Sequence, residues 1–240
     1  AKATEDKRKE EELEEARQFQ LDMLPSETPD ELGLDISSTI KTATEVGGDY
    51  YDYFPQKDGK SLYVVVGDAT GHGMTAGMMV SITKAGLYGI PSIPPNDIAR
   101  RLNRVIKKID LGWNRMAFNM ARFWEDRVEF TSAAMPPVYH YHGETGELDE
   151  VLLGGLPLGS IKDETFSLEE FDFNQGDSLI FISDGLPEAA NHTGEMLGYD
   201  AVYNCIKANG NQSAEEQKQS LLDLGSAWLG NLQNQDDITI

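Results

Sequence analysis

The sequence is poor in the residues that build disulfides and soft-metal sites, with one cysteine, Cys205, and four histidines among 240 residues. A lone thiol excludes an internal disulfide framework and a cysteine-based metal cluster. Basic residues are also scarce. Twenty Lys and Arg against 41 Asp and Glu leave a net charge of −21, which repels phosphate backbones and anionic membrane surfaces, so nucleic acid is not an expected partner. Long hydrophobic runs are missing too. The apolar stretches around residues 62–66 and 179–182 fall far short of the roughly 20 residues that span a bilayer, and no basic-then-apolar leader opens the chain. These absences point to a cytoplasmic domain with no membrane segment. A start on Ala1 and an end on Ile240, inside a strand-like run, point to a piece of a longer protein that could itself be membrane-tethered. What is present is ordinary: 40% hydrophobic, 25% charged and 9% aromatic residues exclude a disordered chain and a fibrous repeat. The length suits one layered domain with an appendage.

Residues 5–24 lack Gly and Pro and predict a charged helix, with Leu13, Ala16, Gln20 and Met23 at heptad spacing and Pro25 and Pro29 ending it. Too few turns are present to choose between a helix docked on its own domain and a short two-chain coiled coil. From Leu34 the pattern turns to short β runs at 34–42, 50–55 and 61–67, the last two joined by a turn at Lys57-Asp58-Gly59-Lys60. Helices are expected over 74–88 and 96–110, divided by the breaker-rich residues 91–95. Six β runs at meander spacing follow (116–124, 127–131, 138–141, 148–152, 165–173 and 178–183), then helices over 199–208 and 214–229 and a last strand from Ile238. Blocks of strands and blocks of helices, without strict alternation, predict an α+β layered sandwich.

Acidic clusters stand where the β runs begin or end: Gly47-Gly48-Asp49-Tyr50-Tyr51-Asp52, Gly67-Asp68-Ala69-Thr70-Gly71-His72-Gly73, Ser183-Asp184-Gly185 and Asp236-Asp237-Ile238-Thr239. Any one Asp-Gly pair reads as a turn. Several carboxylates at strand mouths are costly to desolvate without a counter-charge, and oxygen-only donors select a hard divalent ion. The flanking glycines let the backbone approach such an ion, so the Ala69 carbonyl joins the candidate ligands.

In these stretches the chain resembles the metal-dependent (PPM) serine/threonine protein phosphatases of the bacterial stage II sporulation protein E and RsbU branch. The resemblance runs from about Ala16 to Ile240 and is carried by Glu45-Val46-Gly47-Gly48-Asp49-Tyr50-Tyr51-Asp52, Val66 through Ala76, Gly154-Gly155-Leu156-Pro157-Leu158-Gly159, Gly176-Asp177, Ser183 through Ala189, and Asp236-Asp237-Ile238-Thr239. It implies an α-β-β-α sandwich of two antiparallel sheets flanked by helices. It also implies two Mn²⁺ or Mg²⁺ ions, with Asp49 bridging them, Asp68 and the Ala69 carbonyl on one, Asp184 and Asp236 on the other, and Asp52 and Asp237 as outer or weaker ligands. The implied reaction is hydrolysis of phosphoserine or phosphothreonine by water activated between two metals, on a phosphorylated STAS-type anti-anti-sigma regulator. Residues 1–29 then become a linker helix, a regulatory connector or homodimerisation segment below an upstream sensor, and 30–240 the phosphatase domain, its last strand cut short. One departure is Ala133-Ala134-Met135-Pro136, where the family carries Ala-Gly before His-Pro or Met-Pro. A catalytically silent partner-binding module and a small-molecule phosphohydrolase remain alternatives.

Other residues read as structural. His72 is either a proton relay or a turn residue, and the glycine-rich loop before residue 74 lacks the Gly-Lys-Ser/Thr of nucleotide-binding loops. His140 and His142 share a strand face and read as a surface pair beside a turn. Lys41 reads as a solvated lysine, Cys205 as buried and inert, and Met78, Met79 and Ile82 as core.

Overall fold

The computed structural model describes residues 2–43, 46–57, 59–71 and 73–240. Thr44, Glu45, Asp58 and His72 lie outside the described residues, as does the side chain of Leu13, so the readings attached to them stop at the sequence.

The elements run α1 (Lys2–Asp22), β1 (Ile40–Lys41), β2 (Asp49–Pro55), β3 (Leu62–Ala69), α2 (Met74–Tyr88), α3 (Pro95–Ile109), β4 (Met116–Phe123), β5 (Arg127–Ala133), β6 (Val138–Tyr141), β7 (Leu148–Val151), β8 (Glu169–Asp172), β9 (Ser178–Ile180), α4 (Tyr199–Asn209), α5 (Ala214–Leu229) and β10 (Ile238–Thr239). One antiparallel sheet has the order β2-β3-β4-β5-β8. The second layer is assembled from β7-β6-β9 and β1-β10. Its two parts are stitched together past the end of β9, where the Ser183 N–H donates to the Thr239 carbonyl at 3.0 Å.

Period-two alternation sorts the side chains of each strand between two cores. In β3, Tyr63 and Val65 face α2 and α3, whereas Val64 and Val66 face the second sheet. The helix side holds Met79, Leu102, Met116 and Phe118, the space between the sheets Phe130, Val138 and Phe181, and the far side Tyr139, Ile182, Val202 and Leu221 under α4 and α5. Helices on both outer faces of two antiparallel sheets are the expected α-β-β-α sandwich.

α3 buries Ile98, Ala99, Leu102 and Ile106, a stripe at helical spacing, and starts with Pro95 in its first turn. α5 opens on a capping box between Ser213 and Glu216. The sequence overreads several β runs: 165–173 pairs only over Glu169–Asp172 and 178–183 only over Ser178–Ile180. Of the β run expected at 34–42 only Ile40–Lys41 pairs as a strand. The apolar residues Leu32 and Leu34 instead pack as loop residues over the inter-sheet core.

The end of α1 docks on its own domain. Met23 and Leu24 pack against the helix-side core, and Gln20, counted in the sequence as a heptad position, inserts its amide beneath the glycine loop. Gln20 Nε2 donates to the Gly47 carbonyl at 2.7 Å, and the Gly47 N–H donates to Gln20 Oε1 at 2.9 Å. Phe19 on the same helix is 63% exposed. In α2, Met79 is core as expected, but Met78 is 50% exposed because it falls on the outer face of the helix.

Candidate active site

The strand ends bring the acids together. Asp49 opens β2 directly opposite Asp68 near the end of β3. Both lie on the strand faces that look into the space between the sheets, in step with Tyr51 and with Val64 and Val66. Asp184 follows the Ser183 stitch, and Asp236 and Asp237 precede β10, so the second sheet delivers its carboxylates to the same mouth.

Asp49 is 2% exposed, and its Oδ2 accepts the Thr239 hydroxyl at 2.6 Å, a bond from one sheet to the other. Burial, and then the Asp68 charge, push the Asp49 carboxyl well above its usual range, against hydrogen bonds from Thr239 and Ser183 that pull it down. Burial, followed by the charges of Asp184, Asp236 and Asp237, pushes Asp68 up to about 7. Burial also raises Asp184, helped by Asp236 and by Glu188, a neighbour that the motif reading did not single out. These influences place the carboxylates near one another, without drawing three of their oxygens within 4.8 Å of one another.

Asp237 differs from the others. Its Oδ2 accepts the Gly48 N–H at 2.6 Å and the Asp49 N–H at 3.3 Å, and its Oδ1 accepts the Ala43 N–H at 2.7 Å. Its carboxylate therefore pins the loop that presents Asp49. A Cβ at Gly47 would collide with that carboxylate, and one at Gly185 with the Asp237 carbonyl. Both glycines are required by this close approach.

Asp52 is not in the cluster. Three residues on from Asp49 in a strand, it points to the opposite face, where it accepts Lys84 Nζ at 2.6 Å, the Tyr50 hydroxyl at 2.7 Å and the Tyr53 N–H at 2.9 Å. The expectation that Asp52 orients water at the metals is corrected on this geometry: it is half of a buried ion pair beneath α2. Ser183 Oγ is fully buried, accepting the Thr239 N–H at 2.9 Å and donating to the Asp237 carbonyl at 3.2 Å, which positions it as a brace and leaves it no access as a nucleophile. Thr239, Ser183 and Gln20 were the residues missed at the site. The hydroxyls of Ser183 and Thr239 flank acids in the sequence, and that adjacency was their only signal.

The donor set fits a hard divalent ion. A Cβ at Gly48 would come within 2.6 Å of the Ala69 carbonyl oxygen and 3.1 Å of Asp68 Oδ1, so only glycine leaves those two oxygens open to a third group. Their acidic neighbours, moreover, call for positive charge. An open cleft of about 520 Å³ adjoins Asp184, lined by Ala134, Met135, Pro136, Glu150, Glu188 and Tyr199. Ala134, which stands where the family carries glycine, has φ 65°.

Paired antiparallel sheets between helix pairs, with carboxylates gathered at one mouth, define a PP2C-type (PPM) phosphatase fold. The SiaA-PP2C domain of Pseudomonas aeruginosa superposes with a TM-score of 0.85 over 99% of this chain and 97% of that one, at 23% identity. The magnesium complex of RsbX matches with a TM-score of 0.63 over 84% of this chain and 90% of that one, at 19% identity. More narrowly, the chain belongs to the stage II sporulation protein E (SpoIIE) family, whose model matches residues 58–240. In sequence it is similar to the phosphoserine phosphatase RsbU of Bacillus subtilis, 27% identical over 234 residues, which cover 95% of this chain and 68% of RsbU.

Proposed function

We propose that the acid cluster hydrolyses phosphoserine and phosphothreonine in a protein substrate, using Mn²⁺ or Mg²⁺ held by Asp49, Asp68, the Ala69 carbonyl, Asp184, Asp236 and Asp237. The observation that supports this reading is the placing of Asp49 opposite Asp68 at the strand ends, with Asp49, Asp68 and Asp184 each raised by burial and by nearby carboxylates, Asp68 by Asp184 and Asp236 among them. Two such ions, when bound, supply a water of lowered pKa and offset the charge of the phosphoryl oxygens. The chain's own part is positional. Thr239 fixes one oxygen of Asp49, Asp237 holds the loop that carries it, and Asp184 with Glu188 faces the open cleft where a phosphorylated segment enters. Of these, Asp237 has both oxygens bonded to backbone amides, which makes it the brace of the Asp49 loop as well as a candidate ligand.

A phosphorylated STAS-type regulator in a bacterial cytoplasmic signalling pathway is the substrate this reading favours, supported by the resemblance to RsbU, itself named a phosphoserine phosphatase. α1 acts as the connector to an upstream sensor, because Gln20 couples its last turns to the loop before Asp49. No helix among the described residues is long and apolar enough to cross a membrane.

The test is turnover of a phosphoserine protein and of an aryl phosphate with and without Mn²⁺, in the parent and in Asp49→Asn. The parent is expected to require the metal, and the variant to lose orders of magnitude with its fold intact. Retention of most of the rate at saturating Mn²⁺ would remove Asp49 from the centre of the mechanism. Absence of turnover in the parent would favour a silent binding module, and turnover of the aryl phosphate alone a small-molecule phosphohydrolase.

A further inference from the structure

The histidine pair is not the surface feature its sequence suggests. His140, in the middle of β6, is 3% exposed and projects between the sheets, where its ring lies 4.9 Å from Phe171 and 5.8 Å from Phe173. His142, two residues on and on the same side, has its ring centroid 4.1 Å away, with the two rings tilted by 43°. His140 Nε2 lies 3.3 Å from Asp177 Oδ2, and His142 Nε2 lies 2.9 Å from Asp149 Oδ2. Asp149 is the register partner of His140 across the β6–β7 ladder. Two imidazoles and two carboxylates therefore meet at the corner where β6, β7 and the start of β9 come together.

We propose that His140, His142 and Asp177, with Asp149 completing the shell, form a second metal site for a borderline divalent cation of the Zn²⁺ type, separate from the acid cluster. One ligand atom from each of the first three already lies within 4.8 Å of the others. Tetrahedral zinc with bonds of about 2.0–2.1 Å needs its donors about 3.3 Å apart, so closure requires only a small turn of side chains. His142, with 30% of its side chain exposed, is free to make that turn.

Asp177 is already held in place by the N–H groups of Asn174 and Gly143, each at 2.9 Å, the kind of outer support that orients a metal-binding carboxylate. Phe171 and Phe173 shield one side from water. Nitrogen donors separate this site in chemistry from the oxygen-only mouth, because imidazole selects borderline ions over Mg²⁺. They are separate along the chain as well: Asp177 immediately precedes β9, and Asp184 lies seven residues further on, beyond the Ser183 stitch, roughly 20 Å away by strand rise. A bound ion would clip together β6, the turn after it and the loop leading into β9.

Titration with Co²⁺ in saturating Mg²⁺, followed by the visible d–d bands and by competition with Zn²⁺, tests the assignment. The probes are the parent, Asp49→Asn, His142→Gln and Asp149→Asn; the last two alter partly exposed side chains, and their metal-free unfolding midpoints should match the parent. Parent and Asp49→Asn are expected to bind one Co²⁺ equally, with Zn²⁺ displacing it, and His142→Gln to weaken binding at least about tenfold. Asp149→Asn should weaken it less. No Co²⁺ binding by the parent, undiminished binding by His142→Gln, or loss in Asp49→Asn alone would each overturn the second site. Because Asp49→Asn disables only the mouth, failure of the proposed phosphatase reading leaves this outcome unaffected.

Discussion

Replacing Asp52 by Asn should damage stability and leave metal binding untouched, which separates two aspartates only three residues apart. Asp52 sits on the helix face of β2 with 4% of its side chain exposed, bonded to Lys84, whose side chain is 18% exposed. Removing one partner of a buried ion pair strands the other, at about 3–5 kcal/mol. Lys84 keeps the Met23 carbonyl at 2.5 Å, and Asn still accepts from Tyr50, so the lower limit of about 3 kcal/mol applies here. For a domain of this size, that lowers the midpoint by roughly 6–12 °C. The double variant Asp52→Asn with Lys84→Met removes the stranded charge and should recover at least half of the loss. Calorimetry gives the midpoints, and Mn²⁺ titration by isothermal calorimetry gives the affinity, expected to equal that of the parent for both variants. A parent-like midpoint combined with a Mn²⁺ affinity reduced tenfold would mean that Asp52 faces the metals and that the alternation of β2 has been misassigned.

Ala134→Gly should stabilise the protein by about 0.5–1 kcal/mol, since relief of the left-handed backbone outweighs the extra freedom of glycine in the unfolded chain, and urea unfolding would expose a wrong sign. In chelator, stability should fall as pH rises from about 4 to about 7, because Asp68 is raised in the fold and prefers its proton there. Mn²⁺ should then raise the midpoint more at pH 7.5 than at pH 5.5, on either side of the Asp68 pKa of about 7, and Asp68→Asn should reduce both dependences, with Asp49 and Asp184 carrying the remainder, the outcome to check by scanning fluorimetry. Deleting residues 1–24 removes the Gln20 bonds to Gly47 and should weaken Mn²⁺ binding; equal mass in solution, affinity and rate would make α1 a passive leader.

The strands and helices were legible because their burial follows simple periods: Val64 and Val66 against Tyr63 and Val65 in β3, Ile98, Leu102 and Ile106 in α3. The placing of Asp49 opposite Asp68 at paired strand ends was legible for a similar reason, since apolar β runs start or stop there and glycine marks the close approach. The face of Asp52 was open to the same alternation argument, which places residues three apart in a strand on opposite sides. Its partner Lys84 was not, because 32 residues and a change of element separate them, and only packing brings them together. His140 shows the opposite limit. A polar residue beside a turn reads as exposed, and nothing local to it announces Phe171, Phe173 and Asp177 arriving from distant strands.

The three amides pinned by Asp237 also set an order of events in the making of the molecule. The carboxylate that fixes the glycine loop lies 188 residues beyond Asp49, and the hydroxyl that braces Asp49 lies 190 beyond it. At a synthesis rate of about 5–20 residues per second, Asp49 and Asp68 leave the ribosome roughly 10–40 s before the residues that complete their surroundings. The first sheet can form in that interval, but the mouth stays open on one side. A growing chain therefore cannot complete the surroundings of Asp49 until β10 has been made and can close against β1.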